Sequence, residues 1–391
     1  MRGIGALSLC ALLALAGCEA LRPAPVTPTG APAKPPAGEA AVLRQAAWSD
    51  LPEWRAEDPA LVWEPFLRSC GTLKTQDAWR EVCAAAESAT IPDREAARRF
   101  FEANFTPYRL SSAEGNDEGL ITGYYEPLLN GSRTPSARYR FPVFGVPEDL
   151  LVIDLAELYP ELKGMRLRGR LDGRRVVPYY DRSQIDQGQG ALAGKQLAWV
   201  EDPIELFFLQ IQGSGRIALD TGETIRVGYA DQNGHPYRSV GRLLAERGEL
   251  PMDSTSMQGI KAWARQNPAK FADYLNHNAS YVFFRELPGE LPGPLGALGV
   301  PLTERRSVAV DDRFVPLGAP VYIATTWPLS TRPLNRMMLA QDTGGAVRGA
   351  VRADFFWGFG EDAAREAGRM KQPLRMWVLL PDALRPPGND R

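Results

Sequence analysis

Apolar positions recur along this chain in three textures, and each predicts a different kind of element. Residues 7–16 are a continuous apolar run, too short to span a bilayer as a helix. Farther on the spacing is helical. Trp63, Phe66, Leu67 and Cys70 fall on one face behind Asp58-Pro59, an N-cap with proline at the first helical position. Pro92-Asp93 opens a second helix, with Ala96, Ala97, Phe100, Phe101 and Asn104 on one face. From Gly119 the period shortens. Leu120-Ile121-Thr122-Gly123-Tyr124-Tyr125-Glu126 reads as a strand, as do residues 139–143, 150–153, 196–199, 207–211, 216–219 and 224–229. Such short runs, punctuated by Gly and Pro and lacking the helices that parallel β-α-β units need, predict a barrel or a sandwich. Helical spacing returns over 238–247 and 256–277, with Asp253 and Ser254 as caps of the second stretch. A Gly/Pro cluster from Pro288 to Pro294 marks a boundary. The last hundred or so residues are short strands again, clearest at 307–310, 320–324, 337–340 and 375–380.

The N-terminus adds a location. Arg2, the apolar run and Leu15-Ala16-Gly17-Cys18 resemble a bacterial lipoprotein signal. Residues 1–17 are then removed, and Cys18 carries the lipid. Glu19, rather than Asp, after the cysteine implies the periplasmic face of the outer membrane over the inner membrane. Residues 18–45 are rich in Pro and Ala and poor in bulky apolar side chains, which predicts an extended tether. Of four cysteines, Cys10 leaves with the signal and Cys18 is lipidated. Cys70 and Cys83 remain as an even pair in an oxidising compartment. They read as a disulfide adding about 3 kcal/mol in the chain-entropy model, with two buried thiols as the alternative.

Composition narrows the chemistry. A formal charge of −2 gives no basic excess for nucleic acid, and no phosphate-cradling glycine motif stands in a strand–helix setting. With only two histidines, His235 and His277, and no nucleophile elbow, Ser-His or Cys-His catalysis and a His/Cys zinc site are poor fits. No metal or cofactor is expected. Carboxylates remain. Asp342 follows an apolar strand and precedes Gly344-Gly345; Asp354 precedes Phe355-Phe356-Trp357; Asp311 closes Val308-Ala309-Val310. Any one of them reads most simply as a strand-end cap. Three in such contexts suggest a site.

These segments resemble a known family. Ala309-Val310-Asp311 with Val315-Pro316-Leu317-Gly318, then Asp342-Thr343-Gly344-Gly345-Ala346 and Arg352-Ala353-Asp354-Phe355, are similar to the three-aspartate domain of cell-wall enzymes. Thr122-Gly123-Tyr124-Tyr125-Glu126-Pro127, Gln210-Ile211-Gln212-Gly213-Ser214-Gly215-Arg216, Gly234-His235-Pro236-Tyr237-Arg238-Ser239 and Asn278-Ala279-Ser280-Tyr281-Val282-Phe283-Phe284 resemble the membrane-bound lytic transglycosylase A group. The resemblance implies a mainly β fold with flanking helices. Residues 46–127 and 288–391 would form a discontinuous double-psi β-barrel. Residues 128–287 would be an inserted, smaller β-rich, barrel-like domain forming the other wall of a groove. It implies cleavage of peptidoglycan glycan strands with Asp354 as acid/base and Asp342 in support. Thr122, Tyr124, Gln212, Ser214 and Asp311 would bind substrate. The implied partners are glycan strands, the membrane through lipid, and proteins of cell-wall synthesis or division. A hydrolase using both aspartates and water, a non-catalytic glycan-binding lipoprotein and a three-aspartate metal enzyme are the competing readings.

The residues also predict details of the site. Phe355, Phe356, Trp357 and an ionised Asp342 should raise the pKa of Asp354. Tyr124, Tyr125, Trp199 and Tyr229 are groove candidates, though strand aromatics more often face a core. Arg133 and Arg138 read as solvated, with substrate carboxylates as the alternative.

Overall fold

The computed structural model describes residues 42–90, 92–162 and 165–384. The signal, Cys18 and nearly all of the tether lie outside them. Residues 42–45, expected as the tether's end, instead form β1 (Val42–Gln45), antiparallel to β2 (Thr106–Ser111). The apolar Leu43 packs against the main core there, which a solvated tether would forgo.

Between these strands stand three helices where the sequence reading had two: α1 (Trp63–Leu73), α2 (Asp77–Ser88) and α3 (Arg94–Asn104). Asp58 accepts from Ala60 N at 3.1 Å ahead of α1, and Asp93 caps α3 by accepting from Ala96 N at 2.8 Å. The overlooked α2 has a helical stripe of its own, Trp79, Val82, Cys83 and Ala86, all buried. Cys70 on α1 and Cys83 on α2 are joined as a disulfide.

Next come β3 (Gly119–Glu126), β4 (Leu128–Ser132), β5 (Phe141–Phe144), β6 (Leu151–Val152), β7 (Arg168–Asp172) and β8 (Arg175–Pro178). After them are α4 (Arg182–Asp186), β9 (Gln196–Val200), α5 (Pro203–Gln212), β10 (Ser214–Leu219) and β11 (Thr224–Gln232). The helices α6 (Val240–Glu246), α7 (Met257–Gln266) and α8 (Pro268–Asn276) lead to β12 (Val282–Leu287). The chain ends in β13 (Ser307–Val310), β14 (Pro320–Thr326), β15 (Pro333–Thr343), β16 (Arg352–Phe359), α9 (Glu361–Arg369) and β17 (Lys371–Leu380).

Three expectations are corrected. Residues 207–211 are not a strand but the body of α5. Asp202 accepts from Ile204 N at 2.7 Å, Pro203 begins the helix, and Gly213 at φ 77° ends it. Leu206 to Gln210 are all buried, so no polar face marks the helical period. The single helix over 256–277 is two, because Pro268 cannot continue the backbone ladder of α7 and begins α8 instead. The cap of α7 is Ser256, whose hydroxyl accepts from Gly259 N, and not Asp253 or Ser254, which lie in a preceding 3-10 turn.

Six strands close on themselves in the order β17-β14-β15-β13-β16-β3, with β3 pairing back to β17. Both parallel and antiparallel neighbours occur, and α1 to α3 share the core of this barrel through Trp63, Phe66, Trp79 and Phe101. A separate six-stranded sheet has the order β12-β11-β10-β4-β9-β5, and β6-β7-β8 form a small third sheet. The architecture is mainly β with helices packed around it.

Candidate active site

Register brings the aspartates together. Asp342 on β15 lies opposite Ala309 on β13, Ala309 opposite Asp354 on β16, and Asp354 opposite Thr122 on β3. One cross-strand row therefore holds both carboxylates, with the small Ala309 between them. Two strand spacings separate their backbones by roughly 9–10 Å.

The row depends on an irregularity. Val308 pairs with Ala340 but Ala309 pairs with Asp342, so Gln341 is an extra, bulged residue. Because side chains alternate with period two, a regular strand would have set Asp342 beside core-facing Val310. The bulge moves it into the row of Ala309. Gln341, fully buried, pays for its place with hydrogen bonds. Its Nε2 donates to Pro65 O and Ser69 Oγ at 2.9 Å each, and its Oε1 accepts from Ser307 Oγ at 2.6 Å.

Asp354 is partly buried. Thr122 Oγ1 donates to its Oδ1 at 2.7 Å, and Arg352 Nη2 donates to Thr122 Oγ1 at 2.8 Å. Burial pushes the Asp354 carboxyl up to about 6 against the pull of Arg352 and Thr122. The charge of Asp342 adds only the smallest of these effects. The expected role of three aromatics is also corrected. Phe356 shares the face of Asp354, with its ring 5.2 Å from that of Tyr124, while Phe355 and Trp357 belong to the main core on the other side.

Asp342 is held differently. Its Oδ1 accepts from Ala297 N and Thr343 N at 2.9 Å each, and its Oδ2 accepts from Tyr124 OH at 3.0 Å. Burial raises its pKa, opposed by these donors and by Arg166. The Tyr124 phenol is pushed well above its ordinary range by burial and by both aspartates, so it remains a donor. Tyr124, Leu302, Ala309, Val347 and Phe356 form an apolar floor for the two acids.

A cavity of about 530 Å³ meets this floor at Leu302 and Asp342 and is lined by Arg166, Arg168, Gln212, Ser214 and Tyr229 among others; Asp354, Thr122 and Tyr124 stand behind its lining. Gly213 turns α5 into β10 in the left-handed conformation, so its neighbours Gln212 and Ser214 both reach the cavity. Gln212 Oε1 also accepts from Tyr125 N at 3.0 Å, tying that corner to β3.

Other expected residues lie elsewhere. Asp311 does not line the cavity. It is buried and accepts from Gly349 N at 2.8 Å and from Arg313, which ties it to the turn after β15. Arg133 pairs with Glu286 and Arg138 with Glu201. Tyr125 is buried, and Trp199 is not among the cavity residues. No three His, Cys, Asp or Glu side chains converge as a metal site among the described residues.

Sequence reasoning assigned no role to Arg352, Arg166 or Arg168. Arg352 could have been found, since it stands two residues before Asp354 on the same strand face. Arg166 donates to Thr343 Oγ1 at 3.1 Å, beside Asp342 in the chain, and Arg168 pairs with Asp231 at 2.8 Å. Their distance along the chain from the aspartates hid them.

A protonatable carboxyl, a second carboxyl fixed by three donors and a cavity beside them have the makings of acid–base chemistry. Comparison with known proteins specifies it. The family description "MltA specific insert domain" matches residues 120–285, and "3D domain" matches 306–380. Membrane-bound lytic murein transglycosylase A of Escherichia coli K12 is 30% identical over 280 residues, 70% of this chain and 68% of that protein. The crystal structure of MltA from Neisseria gonorrhoeae is 43% identical, with a TM-score of 0.75 over 88% of this chain and 94% of that one. A membrane-bound lytic murein transglycosylase from Agrobacterium tumefaciens is 32% identical, with a TM-score of 0.78 over 87% and 97%. The chain belongs to the membrane-bound lytic murein transglycosylase A family.

Proposed function

We propose that the protein cleaves the β-1,4 bond between N-acetylmuramic acid and N-acetylglucosamine in peptidoglycan without water, with Asp354 as its single acid and base. The observation that carries this is Asp354 itself, a carboxyl raised to about 6 and oriented by Thr122 in the row that ends at the groove. Protonated, it gives its proton to the oxygen leaving with N-acetylglucosamine. The resulting carboxylate takes the proton of the C6 hydroxyl of N-acetylmuramic acid, whose oxygen bonds to its own anomeric carbon. A 1,6-anhydro ring and a free glucosamine hydroxyl result. The nucleophile is tethered, so proximity supplies part of the barrier, up to about 7–11 kcal/mol in the best cases. Asp342, held by three donors, stabilises positive charge at the sugar ring. A hydrolase reading would instead use Asp342 as base on a water and leave reducing ends. Thr122 positions Asp354, Tyr124 positions Asp342, and Gln212 and Ser214 bind the strand.

Mass spectrometry of soluble products from purified sacculi tests this. Anhydro-muramic ends are expected; reducing ends mean hydrolysis, and intact sacculi mean binding alone. The pH profile is a second test. Since the acid form of Asp354 starts the reaction, kcat/KM should fall about tenfold per pH unit above pH 6. A profile flat from pH 5 to 8 rules Asp354 out as the acid.

We read residues 46–127 with 288–391 as one discontinuous domain, a double-psi barrel, and 128–287 as a smaller insertion. In support, the closed barrel takes β3 from the first part and its other strands from the last, while β4 to β12 lie between. Cys18 is the lipid anchor on the periplasmic face of the outer membrane in this reading, with cell-wall synthesis or division proteins as partners. Among the described residues no helix is long and apolar enough to cross a membrane.

A further inference from the structure

The aspartate row does not stop at Thr122. Thr122 lies opposite Lys371 at the start of β17, and Lys371 lines a second hollow of about 570 Å³. The row thus runs Asp342, Ala309, Asp354, Thr122, Lys371, its first residue in the main groove and its last in this hollow. Tyr237 lines both, so the two spaces meet at its ring. Asp354 lines neither, but in the row it stands between the residues that do.

The second hollow is basic, and its cations are exposed. Arg238, Arg242, Lys371 and His277 line it, against the one carboxylate of Glu246. Arg238, Arg242 and Lys371 are exposed, and none makes an ion pair among the described residues. The main groove is basic as well, with Arg166, Arg168, Arg182 and Arg285 on its lining, but there Arg168 is paired with Asp231, Arg182 is buried against backbone carbonyls, and Asp342 adds a second carboxylate. Unneutralised cations around one concavity concentrate anionic ligands there.

We propose that this hollow takes the carboxylate-bearing stem peptide of a muramic acid next to the cleaved bond, so that the enzyme favours peptide-bearing over naked strands. The inference rests on the reading of Asp354 as the acid. Lys371 is two strand spacings from Asp354, roughly 10 Å. An extended peptide covers about 3.3–3.6 Å per residue, so three residues reach that far from a sugar at the acid. A lactyl carboxylate alone is too short to reach and too small to engage three cations.

The test uses the full chain and two substrates: glycan strands with stem peptides, and the same strands stripped by an amidase, which bares the lactyl carboxylate. Rates of anhydro-product release are measured for the wild-type chain, Arg238→Gln/Arg242→Gln and Glu246→Gln. The wild-type chain should cut peptide-bearing strands about tenfold faster, about what a single charged contact contributes. The double variant should bring that ratio close to one, and Glu246→Gln, which removes the lone carboxylate, should raise it. A raised ratio cannot come from misfolding. Equal wild-type rates, a ratio unchanged in the double variant, or an equal fall on both substrates overturns the peptide assignment while Asp354 stands. No anhydro product from either strand overturns the reading of Asp354 and this inference with it.

Discussion

Asp354→Asn should lower muropeptide release from sacculi by about 10³-fold or more, near the upper range for loss of a general acid. The amide matches the carboxyl in size and can still bond Thr122, but it can neither give nor take the proton. No second carboxyl is placed to replace it. The nearest in the row, Asp342, lies two strands away and is engaged by Ala297, Thr343 and Tyr124. Retention of more than about one part in a hundred of the rate would exclude Asp354 as the acid.

The same substitution should stabilise the protein, and the pH at which it does so is fixed by sign. The folded carboxyl titrates at about 6, above the usual unfolded value of about 3.9. Folding therefore favours the protonated form. That contribution is complete below about pH 4 and is lost as pH rises through 6, above which the fold carries a half-hidden charge costing about 2–3 kcal/mol. Asp354→Asn should raise the melting temperature at pH 8 and leave it nearly unchanged at pH 4. Equal shifts at both pH values would mean that the carboxyl is not perturbed by the fold.

Gln341→Leu should cost about 1–3 kcal/mol of stability, because it leaves the buried Ser307 hydroxyl without its acceptor, while Ser307 still accepts from Thr303 N and Ser69 still donates to the Pro65 carbonyl. It should also lower kcat/KM by about 100-fold in the protein that remains folded, the usual effect of a catalytic group displaced by about 1 Å. The reason is geometric. Gln341 is the bulged residue that lets Asp342 join the row of Ala309 and Asp354. With its anchors to α1 gone, β15 can relax toward regular alternation, which turns Asp342 away from the groove. Denaturant unfolding and kinetics well below the midpoint separate the two effects. A destabilised variant with a wild-type rate would show that Gln341 serves only the fold.

The two acids thus depend on opposite kinds of support. Asp354 sits in a regular stretch of sheet, and its environment is set by what packs over it. Asp342 has its position made by a local defect, and that defect is bonded to a helix some 270 residues earlier in the chain.

What the amino-acid sequence determined by itself was the local part. Asp58-Pro59 and Asp93 cap helices because capping is settled within a few residues. Strand β13 spans the expected residues because a short β-branched run with a turn behind it has few other conformations. The motifs around Asp342 and Asp354 marked the site for the same reason, since their glycines and aspartates are short-range features. Where local signals competed, the sequence was ambiguous. Residues 207–211 are helical because Asp202, Pro203 and Gly213 bound them, and burial on all sides erased the polar face that would have shown it. Only the tertiary structure decided which residues stand across from Asp354. Thr122 and Ala309 come from strands far from it in the chain, and their juxtaposition is a matter of register. Register depends on how three strands and a bulge satisfy their hydrogen bonds together, a condition no single segment of the chain contains. Asp311 makes the point in reverse: it has the same local setting as the other two acids, yet long-range closure turned it toward Gly349 and away from the groove.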